Sequence, residues 1–195
     1  VALVTGTNGK STTVRMTASI MAAAGIQGGL TSTDFIRVGV RIIDRGDYSG
    51  TGGARMLMRQ PDIEAAVLEV ASGGLLRRGL GVEHAEVAVV TNVAADHLGD
   101  YGINTVEELI PAKFIVRRAL AESDLLVLNA DDPGCVEYAA TLDQQLAWFS
   151  LDADHPLVKK TVAGQGLACW LEDGALVASQ GGSTRTVTQV GQVPA

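Results

Sequence analysis

Aromatic side chains are scarce in this 195-residue chain, 4% of the total, so its core must be packed mainly from aliphatic residues. The 47% hydrophobic content supplies them. Cysteine is nearly missing: Cys135 and Cys169 are too few for a disulfide scaffold and lack metal-ligand spacing. A reduced, cytoplasmic setting is therefore expected. Five prolines against 23 glycines, with no low-complexity stretch, exclude collagen-like and disordered chains. There is no run of about 18 consecutive apolar residues and no basic-then-apolar leader, so neither a membrane span nor a secretory signal is visible. Positive charge is in deficit, 15 Lys and Arg against 22 Asp and Glu, for a net −7. That balance disfavours a nucleic-acid partner. What is left is the profile of one ordinary globular domain.

Short β-branched and aliphatic runs alternate with helical patterns over the first two-thirds. Strands are predicted at 1–5, 63–70, 86–91 and 124–128. Near-continuous apolar runs mark strands buried on both faces of a sheet. Helices are predicted from Ser11 to Ala24, where Val14, Ala18, Met21 and Ala22 form one stripe, and over 53–59 and 105–121. This order predicts an α/β fold with a mostly parallel sheet and helices on both faces. Residues 28–52 are Gly-rich and polar, with a strand pair around 37–43 and turns at 44–47. Beyond about 146, Asp173-Gly174 between two alternating runs predicts a hairpin. Residues 184–190 alternate as a further strand. We therefore expect a core over 1–146 and a small antiparallel β appendage of the same domain over 147–195, with Trp148 and Trp170 covering the appendage's core. A chain that opens within a strand and stops without a terminal helix is expected to be a fragment of a longer polypeptide.

Gly6-Thr7-Asn8-Gly9-Lys10-Ser11-Thr12 lies between the first strand and the first helix. Glycines let backbone amides converge on phosphate oxygens, and a helix N-terminus adds positive potential. Lys10 brings charge to the β- and γ-phosphates, and Ser11 a hydroxyl for Mg²⁺. The loop is thus expected to be a P-loop for ATP or GTP. Glu69 closes a core strand, where ligands of parallel sheets gather, and a carboxylate there suits Mg²⁺. Asp96 and His97 follow the next strand and fall at the same edge. Thr105-Val106-Glu107-Glu108 has the form of a capping box. The stripe of Leu109, Ile110 and Val116 then brings Lys113 to the inward face. A buried ammonium is costly, so the amine must snorkel, pair, lose its charge or be modified. Pro111 should kink this helix or start a second one.

Together these motifs resemble the central ATP-binding domain of the Mur ligase family, and within it the cyanophycin-synthetase branch. The likeness rests on residues 6–12, Thr31-Ser32-Thr33-Asp34, Gly46-Asp47 with Ala54-Arg55, the run 68–81 and Asn92 to Gly99. Lys113 and Leu128-Asn129-Ala130-Asp131-Asp132 follow in order. The resemblance implies an ATP-dependent ligase forming amide bonds, in which a carboxylate is activated as an acyl phosphate and then attacked by an amine. It also implies Mg²⁺ held by Ser11, Glu69, His97 and a carbamylated Lys113, with Asn129 near the adenine. Small-molecule or peptide carboxylate and amine substrates, and a C-terminal ligase domain of the parent chain, would be the partners. Where cyanophycin synthetases usually carry Arg, this chain has Ser72, which leaves the acceptor open. The alternatives are a peptidoglycan-type Mur ligase and a P-loop kinase or NTPase.

Overall fold

The computed structural model describes residues 1–73, 79–95, 99 and 102–193. Among these, eleven strands share one sheet. They are β1 (Ala2–Thr5), β2 (Gly28–Thr31), β3 (Phe35–Val38), β4 (Arg41–Arg45), β5 (Ala65–Glu69), β6 (Val87–Val90), β7 (Leu125–Asn129), β8 (Gln145–Ser150), β9 (Ala168–Glu172), β10 (Ala175–Gln180) and β11 (Ser183–Gln189). Their spatial order is β11-β10-β9-β8-β7-β6-β1-β5-β2-β3-β4. From β2 to β9 every neighbouring pair is parallel, and antiparallel hairpins flank this block on both sides.

Helices among the described residues include α1 (Lys10–Ala23), α2 (Thr51–Met58), α3 (Val106–Lys113), α4 (Pro133–Ala139) and α5 (Pro156–Ala163), and 3₁₀ turns span Phe114–Ala119 and Val190–Gln192. Both faces of the sheet carry helices, but unequally. The connection from β1 to β2 runs one way along the sheet, and every later parallel connection runs the other way. Right-handed crossovers then place α1 on one face and the remaining helices opposite. The cores agree. Val14 and Ala18 of α1 pack with Val4, Leu30 and Val67. Ala54, Leu57, Leu109, Phe114, Val116, Cys135 and Ala139 pack with Leu3, Leu68, Val90 and Leu128 on the other side. Consecutive residues Val4 and Leu3, or Val67 and Leu68, point to opposite faces, as the strand period requires. The direction of travel reverses between β1 and β6, and α/β folds bind ligands beyond the carboxyl ends of strands at such a point.

The structure departs from the sequence reading at several places. β2 is a parallel core strand, hidden in the sequence by Gly28 and Gly29. A Cβ on Gly28 would lie 2.9 Å from Met21 Sδ, and one on Gly29 2.7 Å from Leu57 Cδ1, so α1 and α2 clamp this strand from both faces. The turn expected at 44–47 begins one strand late: Asp44 and Arg45 belong to β4, and the hairpin turns at Gly39-Val40. β8 and β9 continue the parallel block, so within the expected appendage only the β9–β10 and β10–β11 pairs are antiparallel, and all join the same sheet. Trp148 enters the main core, whereas Trp170 packs with Val158, Ala168 and Val177. Pro111 lies within α3, which ends two residues later and tightens into the 3₁₀ turn. The helix expected over 105–121 thus changes type midway. Ala22, placed on the buried stripe of α1, is exposed.

Candidate active site

β1 delivers the chain into the phosphate loop at its carboxyl end. Gly6 (φ 141°) and Gly9 (φ 82°) take conformations disfavoured for other residues, and Gly9 caps α1. The first-turn amides of α1 have no intrahelical acceptor, the general condition of helix N-termini. The Lys10 ammonium folds over its own loop, donating to the Gly6 carbonyl at 2.9 Å and the Thr7 carbonyl at 2.8 Å. Thr12 is exposed on the first turn of α1. Thr7 and Asn8 are tied to the loop after β6: Thr7 Oγ1 accepts from the Ala94 amide at 3.0 Å, and the Asn8 amide donates to Asn92 Oδ1 at 2.9 Å.

Glu69 ends β5, one strand over from the phosphate loop and level with Val4. It is only 2% exposed, yet neither carboxylate oxygen has a hydrogen-bond partner among the described residues. Burial, the largest influence, pushes its carboxyl above the ordinary carboxylate range. The Ser11 hydroxyl, the Lys10 charge and the Thr33 backbone pull it back, while Asp47 pushes it further up. Ser11 Oγ lies 3.3 Å from Thr33 Oγ1. A buried carboxylate with spare lone pairs, faced by hydroxyls and a lysine, suits a hard divalent cation that retains several waters. Among the described residues, no three His, Cys, Asp or Glu side chains form a metal cage. Thr33 was legible in the sequence only as part of a loop; its place beside Ser11 depends on where β2 pairs.

Lys113 is 4% exposed at the end of α3, and its ammonium donates to Ser72 Oγ at 3.2 Å. Ser72 is three residues past Glu69, so this lysine reaches the same end of β5. The capping box expected at the start of α3 is present, with Thr105 and Glu108 bonding reciprocally. Asn129 Nδ2 donates to the Thr91 carbonyl at 3.0 Å, and its Oδ1 accepts from the Asp131 amide at 2.9 Å. These bonds tie the ends of β6 and β7. Asp96 and His97, expected at this rim, lie outside the described residues.

The chain belongs to the Mur ligase family: the family model for the Mur ligase middle domain matches residues 4–181. Among individual proteins, it is similar to the cyanophycin synthetase of Synechocystis sp., with 39% identity over 191 residues that cover 98% of this chain and 22% of that protein. It is also 34% identical over 155 residues to the UDP-N-acetylmuramoylalanine–D-glutamate ligase of Symbiobacterium thermophilum, covering 77% of this chain and 29% of that enzyme. The chain therefore spans about a fifth of the length of the cyanophycin synthetases it matches. In fold it resembles E. coli FolC in complex with DHPP and ADP (TM-score 0.66, 23% identity, 94% of this chain and 47% of that one). A UDP-N-acetylmuramoyl-L-alanyl-D-glutamate–2,6-diaminopimelate ligase gives a TM-score of 0.69 at 20% identity, covering 95% of this chain and 38% of that one.

Proposed function

We propose that this chain is the ATP-binding domain of a cytoplasmic ligase that joins a carboxylate to an amine, of the cyanophycin-synthetase type. The observation that carries this reading is the buried carboxylate of Glu69 beside the phosphate loop, without a hydrogen-bond partner among the described residues. Such a group is costly unless a cation comes to it. The 39% identity over nearly the whole chain favours the cyanophycin branch over the peptidoglycan one. A plain P-loop kinase or NTPase has no use for an inward lysine at this rim.

In this reading the acceptor carboxylate attacks the γ-phosphorus. A new O–P bond forms, the bond to the β–γ bridging oxygen breaks, and ADP departs. An amine then attacks the acyl carbon, inorganic phosphate leaves, and the amine's proton passes to solvent. Phosphoryl transfer depends on position and charge neutralisation more than on covalent help. The first-turn amides of α1 cradle the phosphates, and Lys10 swings from the Gly6 and Thr7 carbonyls onto the β- and γ-oxygens. Ser11 and Glu69 would hold Mg²⁺, with Thr33, His97 and Lys113 as carbamate contributing, and the ion would supply charge neutralisation at the γ-phosphate. Asn129 stands at the adenine side. The remaining length of the polypeptide would bring the carboxylate and amine substrates and the C-terminal ligase domain.

Lys10→Ala tests the reading. In the full-length polypeptide it should reduce ATP-dependent ligation at least 100-fold by removing charge stabilisation. Unchanged turnover and unchanged ATP affinity would reject the role of this loop. Native mass spectrometry in bicarbonate checks the carbamate, which should add one CO₂ that disappears in Lys113→Ala.

A further inference from the structure

The phosphate loop is shaped from outside its own sequence. Thr91, 8% exposed, follows β6, and its hydroxyl lies 2.6 Å from the Asn8 carbonyl and 3.2 Å from the Thr5 carbonyl. With a single proton to give, it serves the nearer acceptor. Asn92 grips the same residue from both sides: its Oδ1 accepts from the Asn8 amide at 2.9 Å, and its Nδ2 donates to the Asn8 carbonyl at 3.1 Å. The Thr7 amide donates to the Asn92 carbonyl at 2.9 Å. A Cβ on Gly6 would sit 1.9 Å from Thr91 Oγ1, so the first glycine of the motif makes room for this threonine. The brace is itself anchored. Asn129 holds the Thr91 carbonyl, and Asp132 accepts the Val93 amide at 2.8 Å.

We infer that Thr91 and Asn92 are positioning residues that set the phosphate loop in its binding shape before any nucleotide arrives. Because Asn92 occupies the Asn8 and Thr7 amides, the backbone donors left for phosphate lie beyond Asn8, at the start of α1, and the brace fixes where that turn begins. Neither side chain needs to touch the nucleotide. This inference rests on the nucleotide reading proposed above and adds the residues that preorganise its loop.

The test uses the magnesium complex of AMPPNP as one probe and adenosine, which lacks phosphates, as the other. Asn92→Ala and Thr91→Val should each raise the Kd for AMPPNP about tenfold or more, since a small misplacement of positioning groups is costly. Adenosine affinity, followed by saturation-transfer NMR, should stay the same. Thr91→Ser, which keeps the hydroxyl, should restore AMPPNP binding. Unchanged AMPPNP affinity in both disruptive variants would overturn the inference. So would an equal weakening of both ligands with a lowered Tm, the mark of a merely structural role. If the unmutated protein fails to bind AMPPNP, the nucleotide reading falls and takes this inference with it.

Discussion

The two halves of the sheet's carboxyl rim treat polar groups in opposite ways. On the β6–β7–β8 half they are matched. Asn129 joins two strand ends, Asp131 accepts from Ser150 Oγ at 2.5 Å and the Leu151 amide at 2.7 Å, and Asp132 accepts from the Val93 and Cys135 amides at 2.8 Å each. On the β1–β5–β2 half, Glu69 is buried with neither oxygen hydrogen-bonded among the described residues. The first half is finished as architecture. The second keeps a buried carboxylate whose desolvation opposes folding, a cost that a bound cation would relieve. Two carboxylates, Asp132 and Glu69, thus sit buried on one rim and differ in whether the described residues supply their hydrogen-bond partners.

Substituting one residue in each half should break the contrast most visibly. Glu69→Gln should cut nucleotide-dependent turnover of the full-length polypeptide by about 100-fold or more. The same change should raise the Tm measured in EDTA, because burial opposes the carboxylate's charge more than Ser11, Lys10 and Thr33 favour it. A lowered Tm would mean that Glu69 is structural. Asp132→Ala should do the reverse, leaving two backbone amides without acceptors and costing about 1–3 kcal/mol in urea unfolding. Its effect on turnover should only follow that loss.

Cys135 sharpens the comparison through pH. Burial, aided by Asp132, pushes its thiol up to about 12. The unfolded thiol ionises near pH 8.5, so above that point the unfolded state binds fewer protons than the native one. The stability tied to this thiol is therefore fully present below about pH 8.5 and falls as pH rises toward 12. Urea melts of wild type and Cys135→Ala across alkaline pH should diverge with that sign. The native thiol should also resist alkylation at about pH 9, read by mass spectrometry. The smallest effect belongs far from the rim. Asp173 (φ 49°) and Gly174 (φ 74°) form the β9–β10 turn, and Gly174→Ala should cost about 1 kcal/mol without altering nucleotide affinity.

Contiguous features were the ones legible in the sequence. The phosphate loop declares itself within seven residues, and Glu69 and Lys113 follow from where an apolar run ends and where a helical stripe points. The features that escaped depend on pairing. β2 is masked by glycines whose reason is Met21 on one face and Leu57 on the other. α4 and α5, of seven and eight residues, are too short to show a period. Thr33 beside Ser11, and the hold of Asn92 on Asn8, arise from strand order, which no local window contains.

The hairpins at the two margins bear on how the chain behaves in a crowded solution. β4 presents Arg41, Asp44 and Arg45 along an exposed strand, and β11 is almost wholly hydroxyl, amide and guanidinium. A parallel block ending bare would offer a row of open amides and carbonyls to any passing chain. Here that row is covered on each side by a hairpin whose outermost strand carries exposed charged or polar side chains, features that discourage a neighbour from extending a very wide sheet.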